Sequence, residues 1–162
     1  MLLIRQAQIS DFPRILDINA AEEEKTSRID LARITQLDSW SDYHRVAVEE
    51  DQVVGFLLVM SETSDYDGEN FRWFLERYSR FLYVDRIVID RTFARHGAGS
   101  ALYADLIKFA ATQSCSSLCC EINVSPPNPV SHAFHAGFGF KEVGRSGTAD
   151  APKVVSYQVA EI

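Results

Sequence analysis

Residues Arg95-His96-Gly97-Ala98-Gly99 combine the ingredients of an anion site. Two glycines one residue apart let the main chain turn sharply and leave its N–H groups open to close approach. If a helix starts at that point, its first amides have no intrahelical acceptor and its dipole adds partial positive charge. Phosphate is the anion such an end holds best. Arg95 and His96 stand where side chains add charge or donors. The spacing excludes two other phosphate loops: no Lys-Ser/Thr pair closes a Walker loop, and Leu102 occupies the place of the third glycine of a dinucleotide fingerprint. The residues alone leave two readings open, a phosphate site or a tight strand-to-helix turn.

Other reactive side chains narrow the chemistry less. Cys115, Cys119 and Cys120 are an odd number without secretory features, so disulfides are not expected. Zinc would need a fourth ligand, and adjacent cysteines on a strand point to opposite faces, so small buried hydrophobes are the better account and no metal is expected. From its residues alone the acidic run Glu22-Glu23-Glu24 reads as a solvated face.

The glycine pair needs a strand before it and a helix after it, and the pattern supplies both. Phe81 to Ile89 is β-branched and aromatic, and Leu102, Leu106, Phe109 and Ala110 give a helix from Gly99 to about Thr112 one apolar stripe. Upstream, residues 2–7 alternate as a short strand. Ser10-Asp11-Phe12-Pro13 starts a helix, and a second covers about Asp30 to Leu37. His44 to Glu49 and Gln52 to Met60 form a hairpin. Its second arm is apolar enough to be buried on both faces, with Gly55 marking a bulge. From Ser61 to Arg80 a polar stretch precedes an aromatic one, residues 71–78, read as a short helix. It lines an acceptor pocket, packs as a satellite core or forms a subunit interface, and a homodimer is one expectation from it. Ser116 to Val124 is a strand. Asn128 caps and Pro129 opens a short helix ending at Gly137. Phe138 to Gly144 and Lys153 to Val159 are the last strands, with a turn over 146–150.

A chain of 162 residues with 46% hydrophobic and 24% charged content is expected to form one domain over 1–162. No apolar run reaches the roughly 20 residues that span a bilayer, and the N-terminus does not read as a signal peptide, so a cytoplasmic protein without membrane partners is expected. The net charge of −7 argues against nucleic acid as a partner. It suits a cationic or amine substrate, or simply solubility.

The six residues Ala94-Arg95-His96-Gly97-Ala98-Gly99 after a strand resemble the (Arg/Gln)-x-x-Gly-x-(Gly/Ala) pyrophosphate motif of the GCN5-related N-acetyltransferase superfamily, departing from it at Ala94. A second stretch, Asn128 to Gly144, resembles that superfamily's Asn-x-x-(Ala/Ser)-x-x-x-Tyr-x-x-x-Gly-Phe-x-x-x-Gly. Asn128, Ser131, Gly139, Phe140 and Gly144 fall on matching positions, and His135 stands where many relatives have Tyr. The variant looks like a bacterial branch of acetyltransferases without an obvious substrate.

The resemblance implies an α/β (α+β) fold with a mixed, mostly antiparallel central sheet flanked by helices and splayed beside the central strand. It implies acetyl transfer from acetyl-CoA directly to an amine-bearing substrate, with no covalent enzyme intermediate and no metal. Arg95, His96, Gly97, Ala98, Gly99 and Ser100 would hold the pyrophosphate. Ile87, Val88 and Ile89 would pair with the pantetheine arm, an amide near Val88 would serve the oxyanion, and Asn128 and Ser131 would complete the donor site. Asp85, which shares a face with Tyr83 unless a bulge intervenes, would be the base, or else an ion-pair partner of Arg86. His135 would protonate the leaving thiolate, or else bond locally. The alternative to an enzyme is a degenerate domain that senses acyl-CoA without transferring the group.

Overall fold

The computed structural model describes residues 1–147 and 151–162. In chain order the elements are β1 (Leu3–Gln6), α1 (Phe12–Ala20), α2 (Leu31–Trp40), β2 (Tyr43–Glu49), β3 (Gln52–Ser61), α3 (Glu69–Leu75), β4 (Leu82–Ile89), α4 (Ala98–Thr112), β5 (Ser117–Ser125), α5 (Pro129–Ala136), β6 (Lys141–Arg145) and β7 (Val154–Glu161). The strands form one sheet in the order β1-β2-β3-β4-β5-β7-β6. Every neighbouring pair is antiparallel except β4 with β5. This is the mixed, mostly antiparallel architecture expected. None of the described helices is long and apolar enough to cross a membrane.

The parallel pair is short. Its register consists of Leu82 opposite Leu118 and Tyr83 opposite Cys119. Beyond Tyr83 the ladder stops, and the backbone of Val84–Ile89 faces a gap on its β5 side.

The near-continuous apolar run of β3 is buried from Val53 to Met60, because helices cover both faces of the sheet. On one face Val53 and Phe56 pack with Phe12, Ile15 and Ile34 of α1 and α2; on the other Val54 and Leu57 pack with Leu102, Tyr103 and Leu106 of α4. Residues 53 and 56 share a face because the β2–β3 register slips between Ala47 and Val48, leaving Val54 as an extra residue beside Gly55. The expected bulge is therefore present.

A second slip lies in β4. Leu58 pairs with Arg86 and Val59 with Val84, so Asp85 is the extra residue. The bulge overrides the period of two: Tyr83 lies opposite Met60, and Arg86 and Val88 then lie opposite Leu58 and Phe56. Tyr83 therefore shares its face with Arg86 and Val88 rather than with Asp85.

In the segment before β4, two of the aromatic side chains join the core. Phe71 and Phe74 are fully buried in a cluster with Phe81, Tyr83 and Tyr157. The helix there begins at Glu69, two residues before the aromatic run, and ends at Leu75. The strand expected from Phe138 begins only at Lys141, because α5 leaves through a turn in which Gly139 has φ +86°. The turn expected over 146–150 falls partly on residues outside those described.

Candidate active site

A cleft of about 820 Å³ opens where β4 and β5 part. It is lined along β4 by Tyr83 to Ile89, along β5 by Cys120 to Asn123, and at one end by Gly97 to Ser100. Strand order alone explains its position: two parallel neighbours that stop pairing leave both their edges and their side chains facing one gap.

At the donor-facing end, Gly97 caps α4 with φ 87° and ψ 4°, and an added Cβ would meet nothing within 4 Å. Glycine is thus required by backbone conformation rather than by crowding. The amide of Ala101 donates to the Gly97 carbonyl at 2.9 Å, closing the first turn of the helix, so the N–H groups of residues 98–100 precede any helical acceptor. Gly99 has another reason: a Cβ there would lie 3.3 Å from the ring of Phe134 on α5. The conformation and the exposed amides suit a phosphate group.

The structure brings Asp85, Ile87, Val88, Ile89, Arg95, Gly97, Ala98, Gly99, Ser100, Asn128, Ser131 and His135 onto the walls of this cleft. His96 is not among them. Its ring lies edge-on to Phe93 with Nδ1 3.3 Å from Glu49, because the left-handed conformation at Arg95 (φ 66°) reverses the chain there. Asn128 caps α5, its Oδ1 accepting from the Ser131 amide.

Two titratable residues sit in surroundings the sequence does not reveal. Asp85 Oδ2 accepts from Arg86 Nε at 2.7 Å, both side chains are almost wholly buried, and Tyr66 donates its hydroxyl to the other oxygen. Of the two readings, the carboxylate fits the ion pair. His135 is 3% exposed. Its Nδ1 lies 2.7 Å from the Ser131 carbonyl, which only accepts, so Nδ1 carries the proton and Nε2 accepts from the Tyr103 hydroxyl at 2.6 Å. Burial lowers the pKa of this imidazole and favours its neutral form. A neutral ring with both nitrogens engaged fits the local bonding reading.

Glu121 on β5 went unmarked in the sequence. It is half-buried on the cleft wall and accepts from the Tyr83 hydroxyl at 2.5 Å. Tyr157 donates to Asn70 Oδ1 at 3.0 Å, which turns the Asn70 amide hydrogens toward Glu121. Desolvation outweighs these bonds and pushes the carboxyl up to about 8, with the charge of Asp85 adding to the rise. Cys120 lines the same wall, but burial raises its thiol well above the ordinary range. No thiolate is available there.

A cleft between two parting parallel strands, with the open amides of a glycine-opened helix at one end and a carboxyl of raised pKa on its wall, suits a phosphate-bearing ligand laid along β4. The chain belongs to the acetyltransferase (GNAT) family, whose model matches residues 4–140. The ribosomal-protein-S18-alanine N-acetyltransferase of Escherichia coli superposes with a TM-score of 0.73 at 16% identity, covering 100% of this chain and 94% of that one. A ribosomal-protein-alanine N-acetyltransferase from Brucella melitensis gives 0.71 at 24% identity over 99% of both chains. A NatC complex bound to Gag peptide and CoA gives 0.75 at 13% identity, over 99% and 98%. At these identities the superpositions speak for the fold. By sequence the chain matches no curated protein. The protein is an acetyltransferase of this family, and enzymes of the family act on amine acceptors.

Proposed function

We propose that residues 1–162 act as one domain that binds acetyl-CoA along β4, with its pyrophosphate on the amides of residues 98–100 and its pantetheine arm beside Ile87, Val88 and Ile89. Arg95 adds charge at the phosphates, and Asn128 and Ser131 complete that end. The acceptor amine enters from the side of Tyr66, Asn70 and Glu121. Glu121 is the base. It takes a proton from the amine as nitrogen attacks the thioester carbonyl, and the thiolate leaves and is protonated from solvent. A base near 8 is matched to an alkylamine, whose neutral fraction is small at pH 7. Attack is direct, since Cys120 is held as a thiol.

One observation supports the reading above the others: a single cleft holds both the free amides of an α-helix start and a carboxyl with raised pKa. A sensor of acyl-CoA would need the first and not the second, so the enzyme is favoured. A cytoplasmic setting agrees with three free, buried cysteines. The test is free-thiol release from acetyl-CoA across a panel of primary amines, run beside calorimetric titration with CoA. Amine-dependent thiol release supports the reading. CoA binding without release from any amine favours the sensor, and no CoA binding overturns both.

A further inference from the structure

The loop between α1 and α2 crosses the mouth of the cleft, and its anchoring is unusually specific. Glu22, Lys25, Thr26 and Ser27 line the cavity. The loop touches both parting strands: Arg86 of β4 donates to the Ser27 carbonyl and hydroxyl, each at 3.1 Å, and Asn123 of β5 donates to the Glu24 carbonyl at 3.4 Å. Asn19, in the last turn of α1 and 1% exposed, closes the arrangement. Its amide donates to the Ser27 carbonyl at 2.8 Å while its Oδ1 accepts from Arg86 at 3.1 Å. Arg86 in turn is held by Asp85, the bulged residue of β4.

We propose that Arg86 and Asn19 are positioning residues that fix residues 21–27 as a strap over the amine end of the cleft, so that they govern acceptor use and water exclusion without contacting the donor. The inference rests on the cleft being the transferase site. A guanidinium is needed because its planar fork serves Asp85 on one side and Asn19 with Ser27 on the other, which an ammonium cannot do at once. The bulge at Asp85 also acquires a purpose here: it turns Arg86 toward α1, and a regular strand would have aimed it at α4.

Three variants test this. Asn19→Ala removes the strap side of the latch and leaves the Asp85–Arg86 pair; Arg86→Lys keeps the charge and loses the fork; Ser27→Ala deletes one bond and guards against misfolding of the others. The expected result is a CoA dissociation constant within about twofold of wild type. Alongside it, kcat/KM for the best amine falls on the order of 10-fold to 100-fold, mainly through KM, the scale of a displaced positioning group. Hydrolysis of acetyl-CoA without any amine should rise in Asn19→Ala and Arg86→Lys as water gains entry. Ser27→Ala should lie between these and wild type. Unchanged amine kinetics and hydrolysis, with faster hydrogen exchange at residues 21–27, would overturn the proposal and leave the latch a purely structural device. An equal loss of CoA affinity would overturn it too. If wild type uses none of the amines tried, the hydrolysis comparison decides alone. Failure of wild type to bind CoA is a separate result, and it would remove the transferase reading itself.

Discussion

Tyr83, the last residue of β4 still paired with β5, donates its hydroxyl to Glu121, two residues beyond its partner Cys119. The bond spans the gap at the point where it begins. It fixes the carboxyl at the apex of the splay, where a thioester lying along β4 and an amine entering from α3 would meet.

Glu121→Gln should therefore lower turnover by about 10²-fold to 10⁴-fold, the range of a lost general base. CoA affinity should hardly change. Wild-type activity should rise as pH increases through about 8, since the carboxyl accepts a proton only once ionised. A steady-state pH profile of both proteins checks this, and a profile flat from pH 6 to 9 would remove Glu121 from the mechanism.

The same carboxyl makes stability pH-dependent with a definite sign. Its pKa is raised from the ordinary 4.5 to about 8, so between these values the folded state binds the proton that the unfolded state has released. That stabilisation is full below about 4.5 and lost as pH rises through about 8. Glu121→Gln, which keeps the shape and never ionises, should gain on wild type in melting temperature as pH rises from below about 4.5 through about 8, with the difference smallest at about pH 4 and full at about pH 9. Differential scanning at the two pH values measures the difference.

Asp85→Asn should act on folding more than on chemistry. It leaves Arg86 buried without its counter-charge, and breaking such a pair costs about 3–5 kcal/mol. Urea denaturation should show that loss. The fraction that remains folded should bind CoA normally.

Much of this architecture is legible in the sequence because it depends on local chemistry. Asn128 and Pro129 announce the start of α5, and the apolar run at 53–60 announces a strand covered on both faces. The site is harder to read, because its determinants are relations between strands. Asp85 looks like a face-mate of Tyr83 until the pairing of β3 with β4 reveals it as the extra residue. His135 looks like a replacement for a phenol until Tyr103, 32 positions away in sequence, is found on its Nε2. Glu121 did leave a signal, a lone carboxylate within the apolar run Leu118-Cys119-Cys120-Glu121-Ile122. A charge on a buried strand has to be paired, neutralised or used, and only the fold shows that this one faces a cleft.

If His135 is a local hydrogen-bonding residue, Tyr103→Phe should reveal it. The substitution strands Nε2 as a buried acceptor and should cost about 1–3 kcal/mol of stability. Turnover should stay within a fewfold of wild type, and the pH profile should show no limb that disappears in the variant. A turnover loss near that of Glu121→Gln would return His135 to the mechanism.

The two glycines at the start of α4 should respond differently to alanine, because they are glycine for different reasons. Gly97 adopts φ 87°, so an L-residue there bears the strain of the left-handed region, about 1–2 kcal/mol, although its methyl would meet nothing. The chain can relieve that strain only by rotating the cap, which turns the amides of residues 98–100 away from the cleft. Gly97→Ala should thus lose both stability and CoA affinity, the latter by about 5-fold to 30-fold if the strain is expressed in binding. Gly99 lies within the helix with a ring edge 3.3 Å from the added carbon, a contact that a small shift of Phe134 relieves. Alanine's higher helix propensity, about 1 kcal/mol over glycine, offsets that shift, so Gly99→Ala should be near neutral in stability. Its CoA affinity reads the second function of the position: a fall without loss of stability means that phosphate oxygens come within a methyl's reach of the main chain. Calorimetric titration of both variants with CoA distinguishes these outcomes, and unchanged affinity in both would move the phosphate site away from the amides of residues 98–100.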